Sequence, residues 1–254
     1  MSGAAGLFSL DGKVASVTGA SSGIGARIAR LFAANGATVV IAARRLDRLE
    51  RLAAEHTNVV AMACDVGDDA ACEALVAAVV EQFGTVDVLV NNAGLSDSQP
   101  AIDEPMADFR RVMDINLNAC FLLSKLVAHP MLDQGSGSIV NIASVHGLVG
   151  SAPNNQAAYS ASKAGLVNLT RELALQWVRH GIRVNAVAPG YFETELTEEM
   201  IAAESGAAWI KRNTPMRRPG RLAELDGPML LLASDAGSYI TGQTIAVDGG
   251  WTAR

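Results

Sequence analysis

A glycine-punctuated turn between two short apolar runs limits the fold of this chain more than any other stretch. Residues 13–18 form the first run, entered through Asp11-Gly12 and left through Thr18-Gly19-Ala20-Ser21-Ser22-Gly23-Ile24-Gly25. A helical stretch at 24–34 follows, closed by Asn35-Gly36, which tolerate the left-handed C-cap conformation. The second apolar run is Thr38–Ala43. Strand, glycine turn, helix and strand within about 30 residues make a βαβ unit, which calls for a parallel sheet covered by helices. Gly19 permits the tight turn, Gly23 lets backbone approach a phosphate, and Gly25 lets helix and strand pack closely. The helix N-terminus then offers free N–H groups and a positive dipole end to a pyrophosphate. A turn serving packing alone is the bland reading of the same glycines.

The alternation continues along the chain. Apolar strands are predicted at 59–63, 86–90, 137–142, 182–188 and 244–247. Helices are predicted at 46–54, 68–83, 106–131 (bent near its start), 157–179 and 219–233. This pattern suits one α/β domain over residues 1–254, a doubly wound parallel sheet of about seven strands flanked by helices on both faces, with a lid at about 191–218. Half the residues are hydrophobic and only 5% aromatic, so the core is expected to be Ala, Val, Leu and Ile. No apolar run reaches the ~18 residues of a membrane helix, and residues 1–10 lack a signal-peptide pattern. A net charge of -6 without a basic block argues against nucleic acid. Cys64, Cys72 and Cys120 lack metal or redox spacing and read as reduced core thiols. His56, His129, His146 and His180 are scattered, so no metal site is expected. A cytoplasmic protein with no membrane or nucleic-acid partner is the expectation.

Candidate chemistry centres on Tyr159-Ser160-Ala161-Ser162-Lys163, in the helical stretch 157–179. Tyr159 and Lys163 are four apart and share one helix face. An ammonium beside a phenol favours the phenolate, which suits proton transfer. Alone, the same pair also describes a solvated helix face. Where the second strand ends, the chain reads Ala42-Ala43-Arg44-Arg45, with no acid to hold a ribose 2′-hydroxyl. A guanidinium there matches a 2′-phosphate. Arg44 is therefore expected as first contact and Arg45 as second, favouring NADP(H), with NAD(H) the alternative. Ser144 closes the fifth strand, at the carboxyl end where open α/β sheets bind ligands. Asn116 is polar within an apolar helical segment, a costly placement unless hydrogen-bonded.

The TGxxxGxG form of the glycine turn, the unaltered Asn91-Asn92-Ala93-Gly94, the Tyr159–Lys163 spacing and Pro189-Gly190 together resemble the short-chain dehydrogenase/reductase family. The resemblance covers residues 10–251 and implies a Rossmann-like oxidoreductase, similar to 3-oxoacyl reductases and to alcohol or sugar dehydrogenases. It implies a catalytic tetrad of Asn116, Ser144, Tyr159 and Lys163. Ser144 would hold the carbonyl oxygen, Tyr159 would carry the proton, Lys163 would bind the nicotinamide ribose, and Asn116 would link Lys163 to solvent through water. Coenzyme contacts are implied for Gly19, Ser21, Ser22, Gly23, Ile24, Gly25, Arg44, Arg45, Asp65, Val66, Asn92, Ala93, Gly94, Tyr159, Lys163, Pro189, Gly190, Phe192 and Thr194. Asp65 also reads as a turn or cap acid. Ser144, His146, Gln156, Tyr159 and Tyr191 are expected at the substrate, in a pocket that Ser96, Gly147 and Phe192 also bound. Loop 147–157 is slightly longer than most relatives have there. Residues 195–215 are expected as a mobile lid anchored by Trp209, with a plain surface helix pair as the bland reading. The implied activity is NADP(H)-dependent interconversion of a ketone, such as a 3-oxoacyl group, and a secondary alcohol. An NAD(H)-dependent sugar or polyol dehydrogenase is the alternative. A non-catalytic nucleotide-binding scaffold would usually have lost part of the tetrad, and a nucleotide-sugar epimerase would need an added substrate domain. Family habit implies a homotetramer, with a homodimer as the alternative and the tail in subunit contacts.

Overall fold

The computed structural model describes residues 3–195 and 197–253. In chain order it contains α1 (Ala4–Leu7), β1 (Val14–Thr18), α2 (Gly23–Ala34), β2 (Thr38–Ala43), α3 (Leu46–Ala53), β3 (Val59–Ala63), α4 (Asp69–Phe83) and β4 (Val88–Asn91). There follow α5 (Met106–Met113), α6 (Ala119–Gln134), β5 (Gly137–Ile142), α7 (Ala157–Trp177) and β6 (Ile182–Pro189). The last elements are α8 (Glu198–Ala202), α9 (Glu204–Asn213), α10 (Asp226–Ala233) and β7 (Thr244–Val247). The strands form one sheet in the order β3-β2-β1-β4-β5-β6-β7, and every neighbouring pair is parallel. The chain winds outward from β1 to β3, then returns to lay β4 on the other side of β1. That reversal leaves a crevice at the carboxyl ends of β1 and β4, the place such sheets offer a ligand.

Burial on both faces explains why the strands read as unbroken apolar runs. In β2, Val39 and Ile41 face one side, packing with Phe32, Leu49, Met229 and Leu232. Val40 and Ala42 face the other, packing with Leu75, Leu123 and Leu173. Each fully buried side chain of this size stabilises by about 1.5–3 kcal/mol. The outer strands β3 and β7 are only partly covered.

Three departures from expectation have clear causes. The helix foreseen at 106–131 is two α-segments joined by a π-turn over Asp114–Asn118, and it runs on to Gln134. The widened turn places Asn116 inward, wholly buried. By length and a mean hydropathy of 1.2, Met106–Gln134 qualifies as apolar enough to cross a membrane, although no such run was expected. Here, however, Leu123, Val127 and Met131 are in the core, so it is a core helix of this sheet. The segment foreseen as a lid forms the helix pair α8 and α9, and its fully buried anchor is Ile210 rather than Trp209. All three cysteines are buried and unpaired.

Candidate active site

A cleft of about 780 Å³ runs along the carboxyl ends of the strands. At its floor, Thr18 and Asn92 staple β1 to β4. The Thr18 hydroxyl accepts the N–H groups of Asn92 and Ala93, both at 3.1 Å, and the Asn92 amide donates to the carbonyls of Thr18 and Gly19. This explains the glycines in atomic terms. Gly19 has φ +64°, and a Cβ there would lie 2.7 Å from Ala93 Cα; on Gly25 it would lie 2.4 Å from Asn92 Nδ2. Gly19→Ala therefore combines strained backbone with a backbone clash, and is expected to destabilise by about 2–3 kcal/mol. A urea denaturation midpoint unchanged from wild type would refute that estimate.

The start of α2 is unlike that of α4. Asp68 caps α4, accepting the N–H groups of Ala70 and Ala71, whereas Ser22 gives α2 no side-chain cap and its first turn carries no acid. The free N–H groups of that turn thus lie beside Ser22, Gly23 and Ile24, which line the cleft, and are fitted to an anion. Beyond it, Ala43, Arg44, Arg45, Asp65 and Val66 line one end of the cleft. Arg44 makes no hydrogen bond or ion pair among the described residues. Arg45 is engaged: it donates to Ser21 and Ser22 and pairs with Glu195. Asp65 accepts the Gly67 N–H in a turn, and the cap belongs to Asp68.

At the other end Ser144, Tyr159 and Lys163 line the cleft, and Asn116 is buried outside its lining. Ser144 Oγ accepts the His146 N–H at 3.2 Å, which leaves its own O–H free to donate. Lys163 is 4% exposed; its Nζ donates to the Ile142 carbonyl at 2.7 Å and lies 5.8 Å from the Tyr159 ring centroid. Asn116 binds the backbone of Leu95 in both directions at 2.9 Å and donates to Ser162 Oγ. It thereby ties the segment after Gly94 to the helix of Tyr159. A Cβ on Gly94 would lie 3.2 Å from Asn116 Oδ1 and 3.6 Å from Lys163 Nζ, so glycine keeps the space between them open.

The side expected to face substrate is polar, with Ser96, His146, Asn154, Gln156 and Tyr191 in its lining beside the acid Asp97. Asn154 Nδ2 donates to Tyr191 Oη at 3.1 Å, and the phenol meets His146 Nε2 at 3.1 Å. An amide NH₂ can only donate, so the phenol proton is free for the imidazole. Burial pushes Tyr191 up to about 12 and pulls His146 below its usual range. His146 is thus neutral and buried rather than facing solvent. Gln156 donates to Ser96, and its Oε1 has no hydrogen-bond partner among the described residues. Tyr191, Trp209 and Trp251 cluster with centroids 5.2–5.4 Å apart, so the tail residue Trp251 packs within its own chain.

One expected pocket residue serves another end, and a second lines the cleft only with part of its side chain. Gly147 does not line the cleft; a Cβ there would sit 2.7 Å from the Lys163 backbone, so this glycine lets the Ser144 turn lie against α7. Phe192 touches the cleft, but its ring is buried against Gly220. Pro189, Gly190 and Thr194 do line it. Sequence reasoning missed Thr18, Asn154 and Glu195 as site residues. Only Thr18 carried a local signal, as the first residue of the glycine motif.

The family model described as Enoyl-(Acyl carrier protein) reductase matches residues 19–252. The chain is 40% identical over 250 residues to gluconate 5-dehydrogenase of Gluconobacter oxydans, covering 97% of each. It is 42% identical over 249 residues to galactitol 2-dehydrogenase (L-tagatose-forming) of Cereibacter sphaeroides, again covering 97% of each. A solved gluconate 5-dehydrogenase from Burkholderia cenocepacia, in complex with NADP and tartrate, matches with a TM-score of 0.93 and 35% identity, covering 99% of this chain and 100% of that one. The glycine cradle, the strand-end cleft and these likenesses agree: the chain belongs to the short-chain dehydrogenase/reductase family and is an NAD(P)-dependent oxidoreductase.

Proposed function

We propose that the chain interconverts a hydroxylated ketone and the matching secondary alcohol, using NADP(H) in preference to NAD(H). The observation that carries this reading is one cleft with Ser144, Tyr159 and Lys163 at one end and Arg44 and Arg45, with no acid closing β2, at the other. The uncapped start of α2 and the glycines of the floor fit a dinucleotide between them. When bound, the coenzyme supplies a hydride to the carbonyl carbon or takes it from the alcohol. Ser144, its oxygen already bonded by His146 N–H, donates a hydrogen bond to the carbonyl oxygen, keeping its own proton, and polarises it. Tyr159 delivers a proton to that same oxygen, or accepts it in the reverse direction. Lys163 lies beside the Tyr159 ring and would hold the coenzyme ribose, and the gap beside Gly94 supports a water link from Lys163 to Asn116. Arg44 and Arg45 hold the 2′-phosphate. The segment 191–218 acts as the lid, held by Trp209 and Ile210.

The substrate class rests on the wall. Ser96, His146, Asn154, Gln156 and Tyr191 offer neutral hydrogen-bonding groups and Asp97 adds a carboxylate acceptor, a polar set that suits a polyol or ketose better than an acyl chain. The likeness to gluconate and galactitol dehydrogenases supports the same choice. The test is NADPH and NADH consumption with a panel of ketoses, cyclic ketones and 3-oxoacyl thioesters. The highest kcat/KM is expected for a polyhydroxylated ketone with NADPH. Turnover confined to the thioesters would refute the substrate class, and a strong NADH preference would refute the coenzyme choice.

A further inference from the structure

Glu195 stands in an unusual position for an acid. It follows Thr194 directly, at the start of the lid segment, and lines the cleft together with Ser21, Ser22, Arg44 and Arg45. Its two carboxylate oxygens are held separately, Oε2 by Arg45 at 3.1 Å and Oε1 by Arg48. Arg45 at the same time donates to Ser21 at 2.8 Å and to Ser22 at 3.0 Å, so the clamp joins the glycine turn, α3 and the lid. Hydrogen bonds from Ser22, Arg48 and Arg45 hold the Glu195 carboxyl down at about 2, so it is charged at any working pH. The described charges at this end of the cleft are Arg44, Arg45 and Arg48 against Glu195 and Asp65, and Asp65 bonds the Gly67 N–H rather than an arginine.

We infer that Glu195 is a built-in occupant of the 2′-phosphate corner: its carboxylate takes the guanidinium of Arg45 that the coenzyme phosphate would use. The inference rests on the proposed role of Arg44 and Arg45. A carboxylate oxygen and a phosphate oxygen are both anionic acceptors for an arginine N–H, and Glu195 presents one such oxygen to Arg45. The phosphate carries about -1.5 to -2 charge at neutral pH, so the two repel when crowded onto one guanidinium. Seating NADP(H) must therefore release Glu195 from Arg45, with Arg48 keeping hold of it and Arg44 free for the phosphate. NAD(H) makes no such demand and leaves the clamp closed. Glu195 thus acts as a specificity-determining residue that narrows discrimination between the two coenzymes and ties it to the lid.

Glu195→Gln tests this, since it removes the charge, keeps the shape, and changes a half-exposed side chain. Coenzyme affinity is read directly by fluorescence titration of NADPH and NADH, without any substrate. The variant is expected to bind NADPH about three- to fivefold more tightly, the scale of one exposed charge pair, with NADH changed less than twofold. Because the repulsion lies near the surface, the NADPH gain should shrink at 0.5 M salt, where screening acts within about 4–5 Å. A merely structural role would not follow salt in this way. Equal variant-to-wild-type ratios for both coenzymes, or weaker NADPH binding, would overturn the role of Glu195. Tighter NADH than NADPH binding in the wild type would instead overturn the coenzyme preference, and the variant ratio would still decide on Glu195.

Discussion

Replacing Tyr159 with Phe is expected to lower kcat by about 10²–10⁴-fold, the usual contribution of a positioned acid–base group. The ring itself should stay where it is. It meets His146 edge-on with centroids 6.4 Å apart and has Lys163 Nζ 5.8 Å from its centre, and neither contact needs the hydroxyl. Among the described hydrogen bonds, Tyr159 contributes only its backbone carbonyl, accepting from Ser162. Loss of the hydroxyl therefore removes no bond on which the fold depends, and stability should move by less than about 0.5 kcal/mol. Coenzyme affinity should change little, because the glycine turn, the start of α2 and the arginine corner are untouched. The variant thus separates chemistry from binding: a titration curve like wild type's, with turnover nearly gone. Turnover within tenfold of wild type would remove Tyr159 from the proton-carrying role, and Ser144 would be the next residue to test.

Why the chemistry was legible in the sequence while its surroundings were not comes down to range. Gly19, Gly23, Gly25 and the Tyr159–Lys163 spacing are local: each follows from what a few neighbouring residues must do. The strands were legible because β1, β2, β4, β5 and β6 are buried on both faces, which leaves nearly unbroken apolar runs. The lid anchor was legible in part: size pointed to Trp209, which packs on Tyr191 and Trp251, whereas the fully buried contact depends on which face of α9 turns inward, and that face carries Ile210. Gly147 looked like a pocket residue from its place beside Ser144, yet its demand comes from Lys163 backbone sixteen residues on. Glu195 gave no signal at all, since its partners Arg45 and Arg48 lie about 150 residues earlier and meet it only through the sheet topology. The same holds for Asn154, which the chain folds back onto Tyr191.

Lys163→Met should cost turnover about 10²–10³-fold while leaving the fold close to its original stability, and the reason lies in how poorly the ammonium is paired. Lys163 is 4% exposed, and its charge finds one backbone carbonyl, that of Ile142, at 2.7 Å. A buried cation with a single neutral partner is costly to the folded state. Methionine has a similar length, fills the same channel and removes that cost. Against this, Ile142 loses its side-chain donor, which costs about 1–3 kcal/mol if no water replaces it. The two effects oppose each other, so the denaturation midpoint should shift by no more than about 1 kcal/mol in either direction. Activity has no such compensation, because the positive charge beside the Tyr159 ring is gone and so is the donor proposed for the ribose. NADPH should also bind several-fold more weakly, unlike in Tyr159→Phe. A Lys163→Met enzyme that is markedly unstable would mark Lys163 as a structural residue. One that is stable and turns over within fivefold of wild type would show that the ammonium has no part in the reaction.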